Sequence, residues 1–379
     1  MLLTHAKLSG KERNMGAYIV RRLLLIIPTL FLIILANFAL IQFAPGGPVD
    51  QIIAEQRGFG EGATDRFTGA GDDAGTNSNS GNGAGSTQGL DEEYRKQLEK
   101  QFGFDKPVHV RFFTMLRDYI TFDFGESYFK KRPVIDLIVE RVPISAMLGL
   151  SMLFLTYAIS VPLGIRKAVK AGSRFDVWSG VILTIMYAVP SFLFAVVLLQ
   201  TLAAGSPFEI FPVRGIETSG WDGFGFWGRI TSLAWWQDAI MHITLPVAAM
   251  MIGAFTGITM LTRNYFLEEM TKQYCITARA KGLKESSILY GHVFRNAMIV
   301  IISGIPAAFV GAFFAGSLLI EVVFSIDGLG KLGYEAALNR DYPVMFSTLF
   351  IFTLMGLVLG IVSDLMYAWL DPRIDFESN

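Results

Sequence analysis

The sequence predicts an all-α integral membrane protein with six transmembrane helices, and three observations predict it. Hydrophobic residues fill 52% of the 379 positions and charged residues only 17%, against roughly a quarter charged in soluble domains; mean hydropathy is +0.44. The missing charge leaves uncharged runs of about 20 residues, the length of a bilayer-crossing helix. The remaining charges alternate from loop to loop, basic on one side and acidic or balanced on the other.

Residues 1–22 are polar and carry Lys7, Lys11, Arg13, Arg21 and Arg22, with a second possible start at Met15 in MGAYIVRRLLL. Residues 23–43 form the first span. Its apolar run is about twice as long as a signal-peptide core, and no A-x-A cleavage site follows, so it is read as retained. Residues 44–143 are a large loop after the first helix. APGGPVD turns the chain out of the helix, and 57–89 is a Gly-rich insert too poor in apolar residues to fold. Its Asp72, Asp73, Asn77 and Asn79 lack the spacing of an EF-hand, which leaves a solvated linker. Order returns with Asp91 capping an amphipathic helix over Glu92–Phe102, followed by a second helix over roughly His109–Phe122. The Asp123–Phe124–Gly125 triplet lacks every other kinase element and is a chance match.

Residues 144–370 are the membrane core. The second span is Ile144–Ile165, the third Val177–Ala204, the fourth Ala239–Thr262 and the fifth Ala297–Ile320. The sixth is Pro343–Val362, reaching to Leu370, and 371–379 is a short tail. A Trp- and Gly-rich loop, Gly205–Asp238, fits an interfacial belt. With the N-terminus in the cytoplasm, Arg166, Lys167, Lys170 and Arg174 fall inside, and so does the basic stretch 263–296. Six spans return the C-terminus to the cytoplasm and leave the 44–143 loop in the periplasm. Pro28, Pro162, Pro190, Pro246 and Pro306 lie within spans and predict kinks, for packing or for gating. The small residues of Gly304–Ser317 suit close helix packing, within the chain or at a dimer seam.

Several function classes are excluded. A net charge of −1 gives no footprint for nucleic acid. Cys275 is the only cysteine, so no internal disulfide forms. His5, His109, His242 and His292 have no metal-ligand spacing, and no nucleophile–base pair is evident, so neither catalytic nor metal residues are assigned. Gly-Leu-Gly-Lys at 328–331 lacks the spacing and the Ser or Thr of a phosphate-binding loop. With no such loop elsewhere, the chain holds no nucleotide cofactor, and ATP-driven work needs a partner.

The island 263–296, RNYFLEEMTKQYCITARAKGLKESSILYGHVFRN, is the most informative stretch. A helical run ends at Gly282, which suits the left-handed residue that closes a helix, and Ser286 suits the N-cap of the next. Ala278 and Ala280 let another protein approach closely, while Arg279 and Lys281 offer charge-assisted bonds. Basic residues obeying the positive-inside rule would explain the charge but not the helix–Gly–helix.

TARAKGL, with HVFRNA ten residues after the glycine, resembles the coupling loop of ABC-importer permeases, although the family's usual first Glu is not evident. GSLLIEVVFSIDGLGKLGYEAALNRDYPV at 316–344, LDPRIDF at 370–376 and FGFDKPVHVRFF with FDFGESY in the first loop are similar to the dipeptide/oligopeptide branch. The resemblance covers Met15 to Phe376. It implies a type I importer fold in the bacterial inner membrane, moving oligopeptides, including microcin C-type antibiotics, by alternating access. It implies as partners a homologous second permease, ABC ATPase subunits or a fused double ATPase binding ATP and Mg, and a periplasmic peptide-binding protein. On that basis Tyr274, Thr277, Ala278, Arg279, Ala280, Lys281, Gly282 and Leu283 couple to the ATPase. Polar positions in the spans are candidates for the path: Tyr187, Ser191, Gln200 and Ser303, with Asn37 and Gln42. Glu321, at the outer end of the fifth span, meets a peptide amine, an ion-pair partner in a neighbouring subunit or solvent at a helix end. Nickel or a sugar as cargo, an ion channel and an intramembrane enzyme are the alternatives.

Overall fold

The computed structural model describes residues 2–43, 106–218, 221, 228, 231–314 and 317–370. The Gly-rich insert, the helix expected at Glu92–Phe102 and the 371–379 tail lie outside the described residues. The chain divides into two compact units, one of Met1–Ile26, Asp136–Glu335 and Ile351–Asn379 and one of Ile27–Ile135 and Ala336–Phe350. Among the described residues there is no β-strand, only two isolated bridges.

The helices are α1 (Leu2–Phe43), α2 (Val108–Ile120), α3 (Val134–Val169), α4 (Arg174–Ala188), α5 (Ser191–Leu202), α6 (Leu233–Met270), α7 (Gln273–Ala280) and α8 (Glu285–Ile288). A π-turn at Leu289–Val293 leads into α9 (Phe294–Ser303). Then come α10 (Ile305–Phe314), α11 (Ser317–Val323), α12 (Leu329–Leu338) and α13 (Tyr342–Leu370). Among the described residues, five stretches are long and apolar enough to cross a membrane: Val20–Leu40, Val134–Val169, Leu233–Met270, Glu285–Gly311 and Tyr342–Met366. The third expected span is not one straight helix. It is the pair α4 and α5, bent by 100°. Pro190 explains the break: it pushes Val189 before it into extended backbone at φ −85°, ψ 121°, out of the helical region. Counting the bent pair as one span gives six.

The fifth span is also segmented, broken at the π-turn and at Gly304. By contrast α3 and α6 overrun their expected limits. At 36 and 38 residues they are about 54–57 Å long at 1.5 Å per residue, well beyond the ~30 Å of hydrocarbon. They pack closely because Gly164 presents no side chain. A Cβ there would stand 2.6 Å from Thr262 Cβ and 2.7 Å from the Thr259 carbonyl.

Two apolar cores lie among the described residues of the larger unit. One joins Leu148 and Met152 of α3 to Ala195 of α5, Leu245 and Ala249 of α6, and Ile320 with Phe324. Beside it Glu321 is fully buried. The Ser145 hydroxyl donates to its Oε1 and the Lys331 N–H to its Oε2, each at 2.8 Å, and the Leu329 N–H donates to Ser145 Oγ at 2.8 Å. The carboxylate and the Ser145 hydroxyl thereby take one free N–H each in the first turn of α12, where negative charge is favoured. Glycines make room for it, since a Cβ on Gly328 would overlap the carboxyl and one on Gly330 would lie 2.9 Å from Leu318 Cα.

In the smaller unit α2 falls within two residues of its expected limits. Phe112 sits edge-on to Phe31 and Phe38, and Tyr119 edge-on to Phe124 and Phe350. The Asp123–Gly125 triplet is irregular chain after the turn at Thr121–Phe122: Gly125 has φ +73°, and its carbonyl accepts from the Val134 N–H. The Ser127 hydroxyl donates to Asp341 at 2.5 Å.

Candidate functional site

The second core of the larger unit supports the charged island. Ile165 and Ala168 of α3, Phe266 of α6, Cys275 and Ala278 of α7, Ile288, Val293, and Ala297 with Ile301 of α9 are all buried together. The island is therefore a built arm rather than a free loop. Thr271 ends α6, and α7 follows for eight residues. The Gly282 N–H donates to the Arg279 carbonyl at 2.9 Å and the Leu283 N–H to the Ala278 carbonyl at 3.2 Å. These bonds occupy carbonyls that the helix end leaves free. Gly282 has φ +80°, the left-handed conformation expected for it. A Cβ there would meet nothing within 4 Å, so glycine is required by the backbone and not by crowding.

The residues assigned to the arm divide between its two faces. Ala278 is buried and supports the arm from beneath. Tyr274 is half-buried and donates to Glu269 Oε2 at 2.7 Å. Burial and that carboxylate push its phenol up from the ordinary value, so it stays a hydrogen-bond donor. Cys275 is fully buried, its thiol against the Glu269 carbonyl at 3.3 Å. Thr277, Arg279, Ala280, Lys281, Gly282 and Leu283 are exposed. Arg279 grips Glu285 across the glycine, Nε to Oε1 at 2.7 Å, and that carboxylate raises the guanidinium's pKa. The pair braces α7 against α8. Ser286 is not the N-cap of the second helix: α8 begins at Glu285 after Lys284, and Ser286 lies inside it. The adjoining π-turn contains Gly291, a wider turn of the kind often found at functional sites.

Sequence reasoning missed Ile276. It is 51% exposed, in a helix whose Cys275 and Ala278 are buried in the core beneath. An isoleucine between Cys275 and Thr277 was the available signal, but only the burial of its two neighbours at 275 and 278 shows which way it faces.

The candidates for the path are distributed differently. Tyr187 is exposed and Ser191 half-buried, flanking the bend at Pro190; Gln200 is exposed near the end of α5, and Ser303 is half-buried at the end of α9. Asn37 is buried, and the side chain of Gln42 lies outside the described residues. Glu321 does not join them, being enclosed with Ser145 and the start of α12.

Apolar helices of membrane-crossing length, one of them folded at a proline, together with a helix–glycine–helix arm are the features of a multi-pass membrane protein. Residues 160–376 match the family described as the binding-protein-dependent transport system inner membrane component, and the chain belongs to that family. It is 54% identical over 96% of its length to the peptidoglycan transport system permease protein YejB of Agrobacterium fabrum, covering 99% of that protein. It is 53% identical over 96% of its length to the inner membrane ABC transporter permease protein YejB of Escherichia coli O157:H7, covering all of it. It is 30% identical over 96% of its length to the oligopeptide transport system permease protein AppB of Bacillus subtilis, again covering all of it. The chain is thus a multi-pass inner-membrane permease subunit of an ABC importer, a non-catalytic component that works with an ATPase, a substrate-binding protein and a second permease.

Proposed function

We propose that this chain moves short peptides from periplasm to cytoplasm by alternating access, and that the Gln273–Leu283 arm converts ATP hydrolysis in a partner chain into movement. The observation that carries the coupling assignment is the arm's outer face. Ile276, Ala280 and Leu283 are exposed apolar residues of a segment that also exposes Arg279 and Lys281, and the other side of its helix is packed. Exposed apolar surface of this kind marks a place where another protein sits. Thr277 and Gly282 complete that face, and Tyr274 and Ala278 hold it in place.

The positive-inside rule puts the arm and both termini in the cytoplasm. The ATPase subunits, or a fused double ATPase, bind ATP and Mg and seat the arm in a cleft. A homologous permease forms the other half of the path, and a periplasmic peptide-binding protein delivers the cargo. Tyr187 and Ser191 at the bend, with Gln200 and Ser303, are polar positions from which the path is lined. Their lack of charge suits a conduit for varied side chains. Relatives named for oligopeptide and peptidoglycan transport support peptide as the cargo class, and peptide antibiotics of microcin C type would enter by the same path.

The test is uptake of a labelled tripeptide by the complete importer in liposomes. Gly282→Val forces a β-branched residue into a left-handed position, at a cost of about 1–2 kcal/mol or more, and puts bulk on the docking face. Uptake is expected to collapse; uptake at the wild-type rate removes the coupling assignment. Uptake of nickel or a sugar in place of peptide by the unmodified importer contradicts the cargo.

A further inference from the structure

A cluster of buried charge lies outside the arm. Lys167, in the last turn of α3, is fully buried. Its ammonium donates to the Asp176 carbonyl and to Ser179 Oγ, both at 2.7 Å, and pairs with Asp176 Oδ1 at 3.1 Å. From α6, Arg263 holds the same carboxylate in a fork, Nε to Oδ1 at 2.8 Å and Nη2 to Oδ2 at 2.6 Å. The Gly172 N–H donates to Oδ2 at 3.2 Å. Ser173 caps α4 by accepting from the Asp176 N–H at 3.3 Å. One carboxylate at the start of α4 therefore ties together the ends of α3 and α6.

Two features argue that the tie does more than hold helices. A buried ammonium is costly and is often replaced at no loss by apolar packing, so apolar side chains would be the simpler glue between three spans. The position is also specific. Arg263 lies one turn before Phe266, the fully buried ring in the arm's core, and α6 runs unbroken from Arg263 to Met270. A displacement of the arm reaches Arg263 through about two turns of stiff helix. A bidentate fork transmits direction as well as distance, because a planar guanidinium and a carboxylate fix each other's orientation.

We propose that Asp176 is a positioning residue for energy coupling, a latch through which movement of the arm on α6 is passed to α4, whose residues take no part in the arm's buried core. The proposal rests on the reading of the arm as the ATPase contact. The latch carries the stroke onward, and the bent α4–α5 pair with Tyr187 and Ser191 is the element it moves.

The test is ATP hydrolysed per peptide taken up by the complete importer in liposomes. Asp176→Asn keeps the shape and removes the charge shared by Lys167 and Arg263. The complex is expected to assemble and hydrolyse ATP at close to the wild-type basal rate, while ATP used per peptide rises by about five-fold or more, the lower edge of a typical coupling free energy. Asp176→Glu, which keeps the charge, is expected to recover most of the coupling. A wild-type ratio in Asp176→Asn overturns the proposal. If that variant does not assemble, Arg263→Lys decides, since it keeps the charge and loses the fork. A raised ratio then supports the latch; an unchanged ratio, or failure of this variant to assemble, overturns it. Gly282→Val in the same preparation separates the two readings. Normal uptake there defeats the arm, whereas blocked uptake beside a normal Asp176→Asn defeats only the latch.

Discussion

Asp176 and Glu321 are both buried carboxylates in the larger unit, and they are held by opposite means. Asp176 is gripped by two cations, one from α3 and one from α6, the latter 87 residues away. Glu321 is held by neutral donors, a hydroxyl from Ser145 of α3 and an N–H from Lys331, ten residues ahead. The two sites lie toward opposite ends of α3, whose Ser145 and Lys167 are about 33 Å apart at 1.5 Å per residue, close to the thickness of the hydrocarbon core. Neutral donors in space that only glycine leaves open fix the Glu321 carboxylate by crowding, even though Ser145 belongs to another helix. A carboxylate shared by cations on two further helices joins bodies that are able to shift. By this contrast Glu321 is a fixed corner and Asp176 a joint.

That distinction is open to attack by mutation. The largest effect is expected at Gly328→Val, because its side chain would occupy the Glu321 carboxyl. Overpacking at a site with no slack costs about 1–3 kcal/mol or more, and the tagged chain should be recovered aggregated or at much reduced yield by size-exclusion chromatography. A monodisperse, wild-type yield would show the corner to be soft. Next comes Glu321→Ala, which strands the Ser145 hydroxyl and the Lys331 N–H at about 1–3 kcal/mol each. The melting temperature of the complex should fall while ATP used per peptide stays unchanged. A raised ATP ratio, as for Asp176→Asn, would erase the difference between corner and joint. Glu321→Gln should be milder, since its carbonyl still accepts one of the two bonds. Uptake of peptides of different charge should keep its wild-type selectivity, and a change in selectivity would return this residue to the path. Smallest is Ser286→Ala. A lost N-cap costs about 0.5–2 kcal/mol, but Ser286 is exposed inside α8, so the melting temperature should not move measurably.

Much of the fold was legible in the sequence because a bilayer writes its demands in long, uncharged runs. Gly282 was legible for a local reason, a single glycine closing a helix. A kink at Pro190 was legible too, but that it alone would fold its span was not. Pro28, Pro162 and Pro246 lie inside helices that continue through them, Pro306 sits in the first turn of α10, and only Pro190 turns its span by 100°. A proline removes one donor wherever it occurs; whether the helix resumes in line depends on neighbours that no local pattern records. The faces of the arm were hidden for the same reason. Ala278 and Ala280 are alike in sequence, and only the packing of α7 on Phe266, Ile288 and Val293 buries one and exposes the other. Lys167, Asp176 and Arg263 read as loop and boundary charges; their convergence is a property of three helices, not of any one stretch.

The most direct test of the central claim is photo-crosslinking from Ile276 in the assembled importer, with Ile299, an exposed residue of α9 within a span, as the control. A photoreactive side chain at 276 should give an adduct with the ATPase, and one at 299 should not. Absence of an ATPase adduct at 276, or equal yield at both positions, would contradict the assignment of this arm as the point where ATP hydrolysis is coupled to transport.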